Sequence, residues 1–328
     1  MKNRPLNYTF TFFVILLLFS NSCKKDDNNN STTTAPVLTT SAISSITQTT
    51  ASCGGKITTN GGSTITVRGV CWSKSTTPTI SDSKTTDGIG SGTFKSTITG
   101  LSPNTTYYVR AYATNNVGTS YGNQFLFKTY TGTVTDIDNN IYNTVTIGTQ
   151  VWTVENLKVT HFTTGDPIPK VTENSGWNDL TSWAYCENYN STDSSLIYGH
   201  LYNFYAAVSG ALCPIGWHVP SDQEWITLLN YMGGDTIAGG KLKESGTAHW
   251  KSPNTGASNE TGFTGLPAGY RNNTQGFLDN RAVGFWWSST EIYTFQSYYI
   301  RVDYYSNDVK HLFDFKGNGY SVRCVKDK

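Results

Sequence analysis

The stretch LCPIGWHVPSDQEW, residues 212–225, gathers a cysteine, a histidine, a serine and two carboxylates in fourteen positions. Histidine and carboxylates are the usual general acids and bases and, with cysteine, the usual zinc ligands. The spacing argues for a different use. Ser221 followed three residues later by Glu224 is a capping box: the serine oxygen accepts a free first-turn amide, and the glutamate reaches back to the serine N–H. Asp222 sits where the helix dipole favours negative charge. Pro220 and Trp225 take the two positions of a hydrophobic staple; Trp225, Leu228, Leu229 and Met232 recur at helical spacing, and Gly233-Gly234 end the run. Only His218 is left without a local task. It has no second histidine nearby, and a structural role is expected rather than a metal-binding or catalytic one.

Asp136-x-Asp138-x-Asn140 has the opening spacing of an EF-hand loop but lacks the glycine that follows, and Ile147 stands where the final glutamate belongs. A turn between strands is the expectation. No nucleophile–base pair or metal-ligand set converges elsewhere, so no catalytic residue, metal or cofactor is assigned, and an enzyme is the least favoured reading. Aromatic rings are then the remaining tools of contact. In QSYYIRVDYYSND, strand alternation sends Tyr298, Ile300, Val302 and Tyr304 one way and Tyr299, Arg301, Asp303 and Tyr305 the other. Tyr299, Arg301, Tyr305 and the nearby Trp287 are the predicted ligand contacts, since tyrosine offers rigid area with a polar tip. A mixed strand face without a ligand is the competing reading.

These residues need elements to carry them. Leu201, Phe204, Tyr205 and Val208 predict a first helix that ends at Gly210, and the capping box starts a second. Between Ala35 and Thr129, short β-type runs alternate with turn signals such as Asn60-Gly61-Gly62 and Asp87-Gly88, the rhythm of an all-β sandwich. A chain of 328 residues suits two domains. With 14% charged residues and a net charge of +1, it shows no electrostatic footprint for nucleic acid. Lys2 and Arg4 precede the apolar run Phe10 to Phe19, which is too short to span a bilayer as a mature helix and reads as a signal peptide. The Asn, Ser and Thr run that ends at Thr34 has nothing to bury and is read as a disordered tether.

The residues FSNSC, 19–23, resemble a bacterial lipobox, which implies a signal peptide over 1–22, acylation of Cys23 and anchorage in outer-membrane lipid. The alternative is an ordinary secretory signal in which Cys23 is incidental. Lys24-Lys25-Asp26-Asp27 resembles the surface-export signal of Bacteroidetes-type lipoproteins, so the tether 23–34 is expected to display the protein outward. Leu101, Pro103, Thr105 and Tyr107 resemble the signature of fibronectin type III domains, with Tyr107 as the tyrosine corner, and the resemblance covers 35–130. The tryptophan common in that family's second strand is missing. Cys53 lies in that region and Cys71 in the next strand, so facing cysteines of two sheets are expected to form a disulfide in an oxidising compartment. This module reads most simply as a spacer.

Residues 131–328 carry the series "TVTDIDNNIYNTVTIGTQVWTVENLK", "TGDPIP", "YGHLYNFYAAV", "LCPIGWHVPSDQEW", "GGKLKESGTAHW", "NETGFTGLPAGYR", "GFWWSSTE" and "YSVRCVKD", which resembles the Fibrobacter succinogenes major paralogous domain. That family is similar in its closing motifs to the C-type-lectin-like fold and to the formylglycine-generating sulfatase-activating domain. The resemblance implies an α+β domain with two helices and a twisted antiparallel sheet, and no known reaction. It also implies a Cys213–Cys324 bridge and leaves Cys186 as a free thiol or a partner for another chain. The closely spaced cysteines of the sulfatase-activating family are missing after Cys213, and so is Glu-Pro-Asn, a calcium-binding triplet of sugar-binding C-type lectins. Calcium-dependent sugar binding of that kind is not expected. The reading is a cell-surface lipoprotein that displays a non-catalytic binding or adhesion module for glycan or protein; the alternative is a purely structural envelope protein.

Overall fold

The computed structural model describes residues 32–178 and 180–328. The residues read as a signal segment and an export motif, and Cys23, read as the lipidation site, lie outside the described residues. The N-terminal part runs through β1 (Val37–Thr40), β2 (Ala51–Thr59), β3 (Val67–Ser73), β4 (Ser83–Lys84), β5 (Gly92–Ile98), β6 (Thr106–Thr114), β7 (Thr119–Tyr121) and β8 (Phe125–Lys128). One sheet has the order β1-β2-β5, the other β4-β3-β6-β7 with β8 also on β6.

Alternation decides what each strand buries. Tyr107, Val109, Ala111 and Ala113 of β6 face a core shared with Val70 of β3, Ala51, Cys53 and Ile57 of β2, and Phe94 and Ile98 of β5. Ser102 donates its backbone N–H to the Tyr107 hydroxyl at 3.0 Å, the tyrosine corner the sequence predicts. On the other face of β6, Tyr112 is buried and donates to the Thr85 carbonyl.

The expected Cys53–Cys71 disulfide is absent, and both thiols are free and buried. Cys53 points into the sandwich core, whereas Cys71 follows the inward-facing Val70 and so faces out of it. Each thiol instead donates to backbone carbonyls, Cys53 to Ser41 and Cys71 to Pro78. The two cysteines sit on different sheets, as expected, but one is a residue out of phase.

The C-terminal part continues through β9 (Gly132–Thr135), β10 (Ile141–Ile147), β11 (Gln150–Thr153), α1 (Asn174–Trp177), β12 (Tyr185–Glu187), α2 (Thr192–Tyr198), β13 (His200–Tyr202), α3 (Phe204–Ala207), β14 (Trp217–His218), α4 (Asp222–Tyr231) and α5 (Asp235–Leu242). It closes with β15 (Tyr270–Asn272), β16 (Gly276–Leu278), β17 (Val283–Tyr293), β18 (Gln296–Asp303), β19 (Val309–Phe315) and β20 (Val325–Lys326). The sheet β14-β20-β11-β10-β9 brings the end of the chain back beside its start, and β17-β18-β19 forms a separate antiparallel sheet. That second sheet is packed on both faces. Trp286, Ile300, Val302 and Val309 join one core with Trp152, Trp225 and Phe263; Phe285, Trp287 and Tyr299 join another with Phe204 and Tyr320.

Local signals explain the helix ends. α4 has its capping box: Ser221 accepts from Glu224 N, and the Glu224 carboxylate accepts from Ser221 N at 2.9 Å. Trp225, Leu228, Leu229 and Met232 are buried as predicted. The predicted first helix is shorter than its periodicity suggests. Asn203 caps α3 by accepting from Ala206 N, so the helix starts after it, while Leu201 lies in β13 paired with Cys186 and Val208 is exposed. The Cys213–Cys324 disulfide, with Cα atoms 6.0 Å apart, links positions separated by 111 residues and ties the approach to α4 to the approach to β20.

The two parts are not a bare stalk and head. Ile46 packs against the cores of both, Tyr130 is buried in the second, and Lys128 donates its Nζ to the Thr146 carbonyl at 2.5 Å. Among the described residues no helix is long and apolar enough to cross a membrane.

Candidate binding site

The residues of the sequence's first suspicion form a structural clasp. His218 Nδ1 lies 2.6 Å from Asp327 Oδ1 and its Nε2 lies 3.0 Å from Glu224 Oε1, so both ring nitrogens are engaged by carboxylates. Asp222, beside the cap, makes an ion pair with His311 of β19. Asp136 also works locally: its carboxylate accepts from Asp138 N, Asn140 N and the Tyr142 hydroxyl, holding the turn between β9 and β10. Among the described residues no three His, Cys, Asp or Glu side chains are placed to share a metal ion.

The predicted aromatic contacts fall mostly inside the protein. Trp287 is fully buried, 4.4 Å from the Tyr320 ring centroid, and donates its indole N–H to the Tyr202 carbonyl. Tyr299, paired with Trp287 across the sheet, packs on Phe285 and Tyr320. Arg301 shares their face but spends its guanidinium on buried Asp303, at 3.1 and 2.7 Å. Only Tyr305, 53% exposed in the turn after β18, remains a surface ring. Alternation separates the two faces correctly, yet β18 is the middle strand of a sheet covered on both sides, so neither face is wet.

A polar surface hollow lies elsewhere. Thr172, Glu173, Asn174, Ser175, Asn190, Gln275, Gly276 and Phe277 line an open hollow of 420 Å³. Three loop segments meet there: the start of α1, the turn before α2, and the β15–β16 hairpin. Arg271 holds them together. It is fully buried, its guanidinium lies 4.6 Å from the Trp177 ring centroid and 5.1 Å from that of Phe277, and it donates to the carbonyls of Val171 and Thr172 and to Asn174 Oδ1. Because the Asn174 oxygen is taken, its amide Nδ2 is left as a donor. Asn190 is oriented in the opposite sense: its Nδ2 donates to Thr172 O at 3.0 Å, leaving Oδ1 as an acceptor.

Gly276 has φ +85°, and a Cβ there would come within 3.0 Å of Asn174 Nδ2, so glycine is needed both for the turn and for room beside the amide. Tyr189 and Asn190 also take left-handed backbone conformations, with φ 53° and 51°. Tyr189 stacks on Phe277 with ring centroids 4.9 Å apart and an interplanar angle of 27°. Burial pushes the Tyr189 phenol up to about 12, so it stays protonated in neutral solution. The hollow therefore offers oriented amides, hydroxyls and one carboxylate on a support of stacked rings, a set that can hydrogen-bond a neutral polar ligand from several directions. The sequence has the cluster Asn272-Asn273-Thr274-Gln275-Gly276 between Tyr270 and Phe277, but nothing in it placed Asn174 and Asn190 beside Gln275.

One further triplet needs placing. Trp-Asn-Asp, the companion of Glu-Pro-Asn in calcium-dependent lectins, does occur as Trp177-Asn178-Asp179. Trp177 is fully buried, with its indole N–H on the Gly317 carbonyl, and Asp179 lies outside the described residues.

The architecture is that of a two-part protein: a β-sandwich joined to a disulfide-closed mixed domain. Residues 145–326, more than half of the chain, match the Fibrobacter succinogenes major domain, and the chain belongs to that family. No curated protein matches it. Among solved structures it is similar to the sensor domain of the anti-sigma factor RsgI4 of Pseudobacteroides cellulosolvens, at 22% identity over 29% of this chain and 95% of that one, with a TM-score of 0.23. It is also similar to a human fibronectin type III domain from the KIAA0970 protein, at 16% identity over 28% of this chain and 72% of that one, with a TM-score of 0.22. Another is the third fibronectin III domain of human KIAA0343, at 16% identity over 34% of this chain and 93% of that one, also with a TM-score of 0.22. Likenesses of this size carry no functional argument.

Proposed function

We propose that this protein is a surface lipoprotein, anchored in the outer membrane through acylated Cys23, whose C-terminal domain has a C-type-lectin-like fold and binds glycan without catalysis. The observation that carries the reading is the pair of amides oriented in opposite senses in the hollow: Arg271 fixes Asn174 as a donor, and Thr172 fixes Asn190 as an acceptor. A sugar hydroxyl both donates and accepts, so neighbouring hydroxyls of a pyranose match such a pair, and Gln275, Ser175 and Glu173 extend it. The low charge of the chain favours a neutral ligand.

The test is a glycan array probed with the full chain and with an Asn174→Ala/Gln275→Ala variant. Both side chains are exposed, but Asn174 also accepts from buried Arg271, so the double variant should lose glycan binding with a small fall in melting temperature, and Gln275→Ala alone should weaken binding at an unchanged melting temperature. Binding that survives the double substitution removes the hollow as the site; a wild-type chain that binds no glycan removes the ligand class. Loss of membrane association in a Cys23→Ser variant tests the anchor separately.

A further inference from the structure

The outer edge of β19 has a feature that neither the family nor the hollow explains. β19 is the last strand of its sheet, paired only with β18 among the described residues. Lys316 N donates to Phe295 O in the register of that pairing. In an antiparallel ladder, inward-bonding and outward-pointing residues alternate, so Lys310, Leu312 and Asp314 bond to β18, while Val309, His311, Phe313 and Phe315 turn their N–H and C=O groups away from it. Phe315 spends its pair locally, accepting from Asn318 N and donating to Asp314 Oδ1. The backbone groups of His311 and Phe313 have no partner among the described residues beyond this edge. α5 packs beside the start of the strand, with Gly239 against the carbonyls of Asn307 and Asp308.

Soluble proteins protect such an edge with charge, a bulge or a covering element. Here the edge also exposes apolar side chains: Leu312 is 38% exposed, Phe313 46% and Phe315 52%. The charges along the strand have a symmetry of their own. Lys310 and Asp314 stand two residues either side of Leu312, on the same face of the sheet. When two copies of β19 pair antiparallel about Leu312, Lys310 of each copy lies opposite Asp314 of the other, and His311 lies opposite Phe313. His311 and Phe313 are the residues whose backbone groups point outward, so they form the narrow hydrogen-bonded pairs of the new ladder. Leu312 meets Leu312 in a wide pair, where side chains are closest. Shifting the axis to His311 sets Asp314 against Asp308, and shifting it to Phe313 sets Lys310 against Lys316, so like charges disfavour both neighbouring registers.

We propose that β19 is a homotypic docking strand: two copies of this chain join edge to edge through β19 about a two-fold axis at Leu312, extending the three-stranded sheet into a six-stranded one across the dimer. Hydrogen bonding and charge select the same register, and it sets the exposed Leu312 against its own copy. The hollow is formed by the start of α1, the turn before α2 and the β15–β16 hairpin, so the pairing does not use its lining residues and the two assignments stand or fall separately.

Disulfide trapping in the full-length protein on intact cells reads this register. A Leu312→Cys variant should give a disulfide-linked dimer on a non-reducing gel, because its Cβ atom faces its own counterpart. Lys310→Cys alone and Asp314→Cys alone should remain monomeric, and co-expression of the two should restore the crosslink. Light scattering on the purified wild-type chain should give a dimer that Leu312→Lys, at an exposed position that meets its own counterpart, dissociates. A wild-type monomer with no Leu312→Cys crosslink overturns the proposal, as does a crosslink from Lys310→Cys alone, which requires another register. Among the described residues the free cysteines Cys53, Cys71 and Cys186 are buried and give no background crosslink, and the unsubstituted chain run beside each variant reads any crosslink through Cys23.

Discussion

His218 Nε2 lies 3.0 Å from both oxygens of the Glu224 carboxylate, so the histidine ahead of α4 closes back on the helix's first turn. Burial by itself would lower the His218 pKa, but the hydrogen bonds that its ring donates to Asp327 and Glu224 outweigh it and raise the pKa above 6.5. Burial likewise opposes ionisation of Glu224, and the hydrogen bonds from Ser221 and His218 overcome it, taking the carboxyl below 4.5. The histidine's contribution to stability is complete below pH 6.5 and is lost as pH rises through its raised pKa; the glutamate's is complete above pH 4.5 and is lost as pH falls. A His218→Ala variant should therefore lose most melting temperature, relative to wild type, between those two values, with the difference shrinking toward pH 9. Thermal melts across pH check this, and a pH-independent difference contradicts it.

The same cap has a separable backbone part. Ser221→Ala should cost about 0.5–2 kcal/mol of stability and Ser221→Gly only a few tenths. Urea unfolding of the two variants measures the contrast, and equal losses would mean that the serine oxygen is not what caps α4.

His200 responds to pH in the opposite direction. Burial pushes its pKa from 6.5 down to about 4, so the folded protein refuses a proton that the unfolded chain accepts. Its effect is a loss of stability as pH falls from 6.5 toward 4. Imidazole carbon shifts followed by NMR should show His200 neutral at pH 5 while His218 is protonated.

Removal of the long-range disulfide by Cys213→Ser/Cys324→Ser should destabilise the chain by about 4–5 kcal/mol in the loop-entropy model. Without reductant, Cys53, Cys71 and Cys186 should be alkylated only after denaturation, since burial pushes each thiol up to about 11. Labelling of fewer than these three in unfolded, unreduced protein would show that one of them is paired.

Arg323 is fully buried and donates to Asn156 Oδ1 and to the carbonyls of Thr153, Phe263 and Thr264, while stacking 4.5 Å from the Phe263 ring centroid. Burial pushes its pKa down to about 9. An ammonium cannot reproduce that planar fork, so Arg323→Lys should leave carbonyls unpaired and lower stability by about 1–3 kcal/mol in denaturant titrations.

What could be read from the sequence was what neighbours along the chain decide among themselves. Ser221 and Glu224 are three residues apart and form the capping box as read; Asp136 and Asn140, four apart, meet in the turn expected there, and Ser102 and Tyr107, five apart, form the corner that the family resemblance implies. The separation of Tyr299 and Arg301 from Ile300 and Val302 was also legible, because alternation is a property of one strand. Whether either face meets water was not. That depends on α4, α3 and the segment 320–325, which cover β18 from both sides and come from distant parts of the chain.

The same limit governs the cysteines and the hollow. Cys53 and Cys71 sit on two facing sheets, but the phase of each strand, set by its pairing partners, turns one thiol inward and the other outward. Asn174, Asn190 and Gln275 are ordinary loop amides in the sequence. They line one hollow only where buried Arg271, reaching carbonyls about 100 positions earlier, and Asn190, donating to Thr172, bring three loops together. Caps, turns, alternation and strand charge pattern follow from the sequence by itself, because their interactions span a few residues. Tertiary structure alone decided which faces are covered, which thiols can meet and which polar groups converge, because those depend on contacts between segments that the chain keeps far apart.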